Sequence, residues 1–356
     1  MLSVVSRHAD LDGPVHYLDF GGDGPPLVCV HGLGGSALNW TPVGAGLAAH
    51  HHVLALDLRG FGRTPLGRGT RLRDNERLLD LFLREVAGWP ATLVGNSMGG
   101  LLSVRHAAKH SDTVHNLVLV DPALPWRWRR ALPMYAIVAA LLTPGLSERA
   151  LSARVPRLGP ERVVDTVLRI VCADPDRVAD DVVRAHVELE RDWLRSPRSQ
   201  RAFAQASRSL LWALARGADS RIYGQVRPPV LIIHGDSDRL VPVVNSRLIG
   251  RLFGWQVEVL PGVGHVPMLE APDDFVRLVL SWLGTRLGPE REQSPLAAPP
   301  GKAQQRNPPC PEGGNPPLTA PPGKARQRNP PCPEGGNPPL AAPPGKARQR
   351  NPPSAA

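Results

Sequence analysis

Cysteine is scarce in this 356-residue chain: Cys29, Cys172, Cys310 and Cys332 are the full set, and no two form a CxxC pair. That spacing excludes a disulfide scaffold and a thiolate zinc site, and it predicts buried thiols at Cys29 and Cys172. Long apolar runs are missing too. The longest, Met134 to Leu142, is closed off by Pro133 and Pro144, at half the ~20 residues that a membrane-spanning helix needs. The first residues, MLSVVSRHADLDG, have neither a basic start nor an apolar stretch, so no secretion signal is expected and the chain is expected to be cytoplasmic. A strong excess of positive charge in the body is also lacking. The net charge is +10, of which +5 falls after Gly288, where nine Lys/Arg face four Asp/Glu. The remaining mild excess does not mark a nucleic-acid binder.

Proline is abundant in one place only. Of 40 prolines, 20 lie in the last 68 residues, which contain a 22-residue repeat. Pro295–Pro316 reads PLAAPPGKAQQRNPPCPEGGNP, Pro317–Pro338 repeats it with Thr319 and Arg326 changed, and a third copy stops after Pro353. Solenoid units stack because each has an apolar face to bury. These units have almost none, so a disordered tail with polyproline II character is expected over 289–356.

The rest of the chain alternates short apolar runs with helical spacing. Val15–Phe20, Pro26–His31, His52–Leu58, Ala91–Gly95, Asn116–Val120, Val230–His234 and Val257–Leu260 read as strands, most of them apolar throughout, as strands buried on both faces should be. Leu78–Val86, Leu101–His110 and Phe275–Leu287 carry helical spacing. The alternation predicts an α/β fold, a mostly parallel central sheet flanked by helices. It stops between about Leu124 and Tyr223, a stretch rich in Ala, Leu and Arg without a strand pattern. The expected organisation is a core of residues 1–123 and 224–288, an inserted helical cap at 124–223 over the carboxyl ends of the strands, and the tail. Trp126, Arg127, Trp128, Arg129 and Arg130 lead into the apolar segment of that insertion. They suit helix packing with exposed arginines, a lid at a pocket mouth, or contact with a membrane surface.

Gly95-Asn96-Ser97-Met98-Gly99 fits G-x-S-x-G between a strand and a helix, a sharp turn that projects a serine hydroxyl. Serine needs a base, and the base needs an orienting group. Among twelve histidines, His265 follows the last strand in a Gly-rich turn and suits the base. His31 opens a Gly-rich loop and reads as its support. His50, His51 and His52 read as a solvated helix end. His106 and His110 have metal-binding spacing, but no third ligand accompanies them in the sequence, so a packing or surface role is expected. Asp238, Asp236 and Asp121 are the candidate acids. Asp238 lies farthest into its loop, Asp236 is placed to hold the turn, and Asp121 is the runner-up after an earlier strand. Trp40 suits either a pocket wall or the core.

HGLGGS at 31–36, DLRGFGRTP at 57–65, GNSMGG at 95–100, HGDSDRLVP at 234–242 and GVGHVPMLEAPDDF at 262–275 together resemble the α/β-hydrolase superfamily, in its order of nucleophile, acid and histidine. The resemblance covers roughly residues 14–288. It implies Ser97 as nucleophile, Asp238 as orienting acid and His265 as base, with the backbone N–H groups of Met98 and Leu33 as oxyanion donors and Gly34 as the alternative to Leu33. It implies a serine hydrolase without cofactor or metal, acting on a small hydrophobic ester as a carboxylesterase. Serine at the elbow argues against epoxide hydrolases and haloalkane dehalogenases. GNSMGG is also similar to enzymes that cleave carbon–carbon bonds in ring-fission products. A cofactor-free peroxidase-like enzyme, a small-molecule receptor on the same fold and an adaptor whose repeats bind a partner are the remaining alternatives.

Overall fold

The computed structural model describes residues 4–124, 158–215 and 220–284. The repeat tail, the Trp126–Leu142 segment, Cys310 and Cys332 lie outside the described residues. Eight strands form one sheet: β1 Val5–Asp10, β2 Pro14–Gly21, β3 Pro26–Val30, β4 His52–Leu56, β5 Ala91–Asn96, β6 Val114–Val120, β7 Val230–Gly235 and β8 Gln256–Leu260. Their spatial order is β1-β2-β4-β3-β5-β6-β7-β8. β1 and β2 pair antiparallel, and every pairing from β4 to β8 is parallel.

Side chains alternate across the sheet with period two and build one apolar cluster on each face. Val28, Val30, Leu54, Leu56, Leu93, Leu117, Leu119 and Ile232 belong to one cluster, which α2 (Leu72–Phe82) and α3 (Met98–Lys109) cover. Leu27, Cys29, Val53, Ala55, Val94, Val118, Val120 and Leu231 belong to the other, with α1 (Thr41–Leu47) and the C-terminal helix Pro272–Gly284. Trp40 is a core residue, fully buried, with its ring 6.3 Å from that of Phe275. Cys29 and Cys172 are buried free thiols, and burial pushes the Cys172 thiol up to about 12.

Two sequence expectations change. β1 was not expected: VSRHAD is polar and almost wholly exposed, an edge strand held by backbone pairing to β2 and by the Arg7–Asp19 ion pair at 2.7 Å. His51 and His52 are not a solvated helix end. α1 stops at Leu47, His51 is buried against the Pro25 carbonyl, and His52 opens β4 with its Nε2 3.1 Å from Asp19 Oδ1.

Between β6 and β7 the described residues form three further helices, α4 (Pro160–Val171), α5 (Asp180–Leu194) and α6 (Pro197–Ala215). Pro160 sits at the first turn of α4, where its missing N–H leaves no bond unmade. Polar bonds tie α6 to the core. Thr70 Oγ1 donates to the Ala202 carbonyl at 2.8 Å, Thr70 N–H to Gln205 Oε1 at 2.8 Å, and Leu72 N–H to Ser209 Oγ at 3.0 Å. The chain then closes with α7 (Val243–Phe253), α8 (Pro267–Glu270) and α9 (Pro272–Gly284). Among the described residues no helix is long and apolar enough to cross a membrane.

Candidate active site

β5 passes into α3 through a single residue, Ser97, whose φ of 52° and ψ of −114° lie where non-glycine residues rarely go. Such strain costs on the order of 1–3 kcal/mol and persists only where the surroundings over-determine it. Here Ser97 N–H donates to the Val120 carbonyl at 2.9 Å, and the Ser97 carbonyl accepts from Leu101 at 3.1 Å and Ala123 at 3.0 Å. The flanking glycines follow from crowding. A Cβ on Gly95 would stand 2.6 Å from the Gly99 carbonyl oxygen and 2.7 Å from Ser103 Oγ, and one on Gly99 would strike the carbonyls of Val30 and His31.

Strands β5, β7 and β8 are parallel, so the residues that follow them emerge at one edge of the sheet. Ser97 follows β5, Asp238 follows β7 and His265 follows β8. His265 Nδ1 donates to Asp238 Oδ2 at 2.7 Å, with both side chains buried. Asp238 Oδ1 accepts from the backbone N–H groups of Leu240 at 2.7 Å and Val241 at 3.0 Å. Burial alone would push the Asp238 carboxyl up, but His265 and His234 outweigh it and hold the group well below the usual carboxylate range. Asp236 holds the turn, accepting from Gly262 N–H and the Ser237 hydroxyl, both at 2.8 Å. Asp121, the alternative acid, is fully buried and accepts from Gly235 N–H at 3.0 Å.

Two further residues bind these pieces together, and sequence reasoning did not single them out. Asn96 Nδ2 donates to the His265 carbonyl at 3.0 Å and to the Val120 carbonyl at 3.2 Å. Glu270 is buried, and its carboxylate accepts from the N–H groups of Gly264 at 2.8 Å, Asp174 at 2.9 Å and Ala173 at 3.1 Å. His265 N–H donates in turn to the Val171 carbonyl at 2.6 Å. The histidine loop therefore leans on the end of α4. The sequence offers only a lone acid in the mainly apolar GHVPMLEAP, five residues after His265; its need for donors follows from the burial that the structure reveals.

The Gly-rich loop after β3 lies against the elbow. A Cβ on Gly32 would stand 3.1 Å from Ser97 Cβ, and one on Gly34 would stand 3.2 Å from the Phe203 ring of α6. Leu33 is half-buried in this loop, and Met98 is the buried first residue of α3, where the N–H has no intrahelical acceptor. His31 supports the loop as expected. Its Nε2 accepts from Leu58 N–H at 3.0 Å and its Nδ1 donates to the Gly32 carbonyl at 2.7 Å. Burial lowers its pKa and favours this neutral form. Asp57 fixes the loop's far side, accepting from Ala37 N–H at 2.6 Å, His16 Nδ1 at 2.6 Å and Arg63 N–H at 2.8 Å.

His106 and His110 gain a third neighbour that the sequence did not reveal. Asp80 of α2 brings the three potential ligand atoms within 4.8 Å of one another. Asp80 is already engaged by Arg84 at 3.0 Å, and His106 Nε2 donates to Thr113 Oγ1 at 2.8 Å, which favours the packing role.

The model of the alpha/beta hydrolase family matches residues 27–278. The chain is 27% identical over 300 residues to 2-hydroxy-6-oxo-6-(2'-aminophenyl)hexa-2,4-dienoic acid hydrolase of Metapseudomonas resinovorans, covering 80% of this chain and 92% of that one. It is 28% identical over 268 residues to Lipase 1 of Psychrobacter immobilis, covering 70% and 74%. Among solved structures it resembles a serine hydrolase involved in carbazole degradation, the CarC enzyme, with a TM-score of 0.62 and 25% identity over 80% of this chain and 100% of that one.

Proposed function

The chain belongs to the alpha/beta hydrolase family, and from that premise we propose that it is a serine hydrolase, a carboxylesterase that cleaves hydrophobic carboxylic esters through an acyl-enzyme on Ser97. The observation that carries the reading is the 2.7 Å bond from His265 Nδ1 to buried Asp238, at the sheet edge where the strained Ser97 emerges.

In this mechanism Ser97 Oγ attacks the ester carbonyl carbon while His265 Nε2 takes the hydroxyl proton. With Nδ1–H bound to Asp238, Nε2 is the nitrogen left free to act as base. Asp238 then stabilises the imidazolium that forms. The carbonyl oxygen becomes an oxyanion held by the N–H groups of Met98 and Leu33, each such donor being worth ~3–4 kcal/mol by removal. The tetrahedral adduct collapses, the C–O bond breaks, and His265 gives its proton to the departing alcohol. Water repeats the sequence on the acyl-enzyme, returning Ser97 and releasing the acid. Leu33, Met98 and the Trp193–Phe203 ring pair, whose Phe203 lies over Gly34, give the surroundings an apolar character suited to hydrophobic acyl groups.

A fluorophosphonate probe tests the nucleophile. Wild-type protein should label and hydrolyse p-nitrophenyl esters, and Ser97→Ala should do neither. Labelling that survives in Ser97→Ala overturns the assignment. The similarity to the hexadienoic acid hydrolase and to the carbazole-degradation enzyme supports a second reading, cleavage of a carbon–carbon bond. Turnover of vinylogous diketo acids with negligible simple-ester activity would select it.

A further inference from the structure

Behind Asp238 lies a second buried carboxyl group that the mechanism above leaves unused. Asp121 follows β6, has a φ of 42° and is fully buried. Its Oδ1 accepts from Gly235 N–H at 3.0 Å, but among the described residues its Oδ2 has no hydrogen-bond partner. The neighbouring imidazole does not supply one. His234 Nε2 donates to the Val241 carbonyl at 2.9 Å, Nδ1 accepts from the Ser246 hydroxyl at 2.8 Å, and the ring stands 3.4 Å from Asp121 Oδ1 and 3.5 Å from Asp238 Oδ2.

Two adjacent buried carboxyl groups do not both ionise, and a proton settles on the one with fewer donors. Asp238 has two backbone N–H groups and His265; Asp121 has a single N–H. A proton on Asp121 Oδ2 also resolves the orphaned oxygen, because the resulting O–H has the Asp238 carboxylate as its neighbouring acceptor, the two groups offering oxygens within 4.8 Å of one another beside His234. The titratable groups facing Asp121 are Asp238 and His234 from the β7 side and Glu270 from α8. Burial first, then the Asp238 charge, drive the Asp121 carboxyl well above its ordinary range.

We propose that Asp121 is a carboxylic acid in the working protein, and that its O–H donates to Asp238 as a positioning group setting how strongly Asp238 holds His265. This rests on the Ser97–Asp238–His265 reading. The added donor fixes the Asp238 carboxylate in the orientation from which Oδ2 accepts from His265 Nδ1. Without the donor, that carboxylate is held by fewer bonds and the imidazole is placed less firmly.

The test combines infrared spectroscopy with kinetics on the full chain, using p-nitrophenyl butyrate as substrate. The wild-type minus Asp121→Asn difference spectrum at neutral pH should contain the C=O band of a buried, protonated carboxyl group. Asp121→Gly, which tolerates the positive φ, should lower kcat about 10-fold at unchanged KM, because the Asp238–His265 geometry and not substrate contact is lost. Asp121→Asn, which keeps an N–H donor, should restore most of that loss. Absence of the band, or a loss in Asp121→Asn as deep as in Asp121→Gly, overturns the proposal. If the wild type hydrolyses no ester, the esterase reading fails by itself and the infrared band still decides the state of Asp121.

Discussion

The Asn96 side chain donates from Nδ2 to the carbonyl oxygen of His265, 3.0 Å away in space and 169 residues along the chain. The residue beside the strained serine thereby fixes the backbone of the loop that carries the imidazole. Because Ser97 and His265 arrive on different strands, their relative placement depends on such cross-ties more than on either local turn. Replacing Asn96 with Ala should cost about 1–2 kcal/mol in urea unfolding. It should also lower kcat roughly 10-fold while changing KM less than about twofold, because geometry rather than substrate contact is lost. A KM increase with unchanged kcat would refute that role.

Glu270 tests the other side of the same loop. Glu270→Ala leaves the N–H groups of Gly264, Ala173 and Asp174 without their acceptor, at an expected cost of about 3 kcal/mol or more in chemical denaturation. Glu270→Gln keeps one acceptor oxygen and should lose about half as much. Equal losses in the two variants would show that the side chain fills space rather than gathers donors.

Crowding at the elbow makes a sharper prediction. Gly99→Ala should fail to yield folded protein, because the new methyl group meets two backbone carbonyls that belong to β3 and its loop. Gly284→Ala is the control. Among the described residues nothing lies within 4 Å of its added Cβ, and its stability should stay within the range of a neutral surface change, about 0.5 kcal/mol. The comparison is read by circular dichroism and thermal melting.

His106 supplies a pH dependence with a defined sign. Burial, then the neighbouring His110, lowers its pKa to about 4, so the folded protein favours the neutral ring. The unfolded chain takes up a proton near pH 6.5, so the stability from this residue is present above that value and is lost as pH falls towards 4. The expected loss is at most about 3 kcal/mol. His106→Gln should flatten the stability curve between pH 6.5 and 4, and an unchanged slope would assign the acid sensitivity elsewhere.

The legible part of this protein is the part written in local pattern. Strands such as VLIIH and ATLVG are apolar because both faces are covered, and that signal survives without any neighbour. VSRHAD carries no such signal, because β1 is held by backbone pairing and a surface ion pair rather than by apolar burial. The glycines around Ser97 were legible because turn geometry demands small residues wherever it occurs. Asp238 and Asp121 could not be separated with certainty from the chain alone, since both follow strands at the same edge. Three-dimensional reach decides that Asp238 bonds His265. The grip of Glu270 was beyond reading for a related reason: besides nearby Gly264 its donors lie 96 and 97 residues away, and nothing near position 174 announces them.

The hydrogen bonds from residues 171–174 to the histidine loop set a limit on redesign. A chimaera that exchanges the insertion to alter substrate choice must leave the last turn of α4 in place and make its splice upstream. Cutting at the root would also remove the backbone bonds that hold the loop of His265, the proposed base.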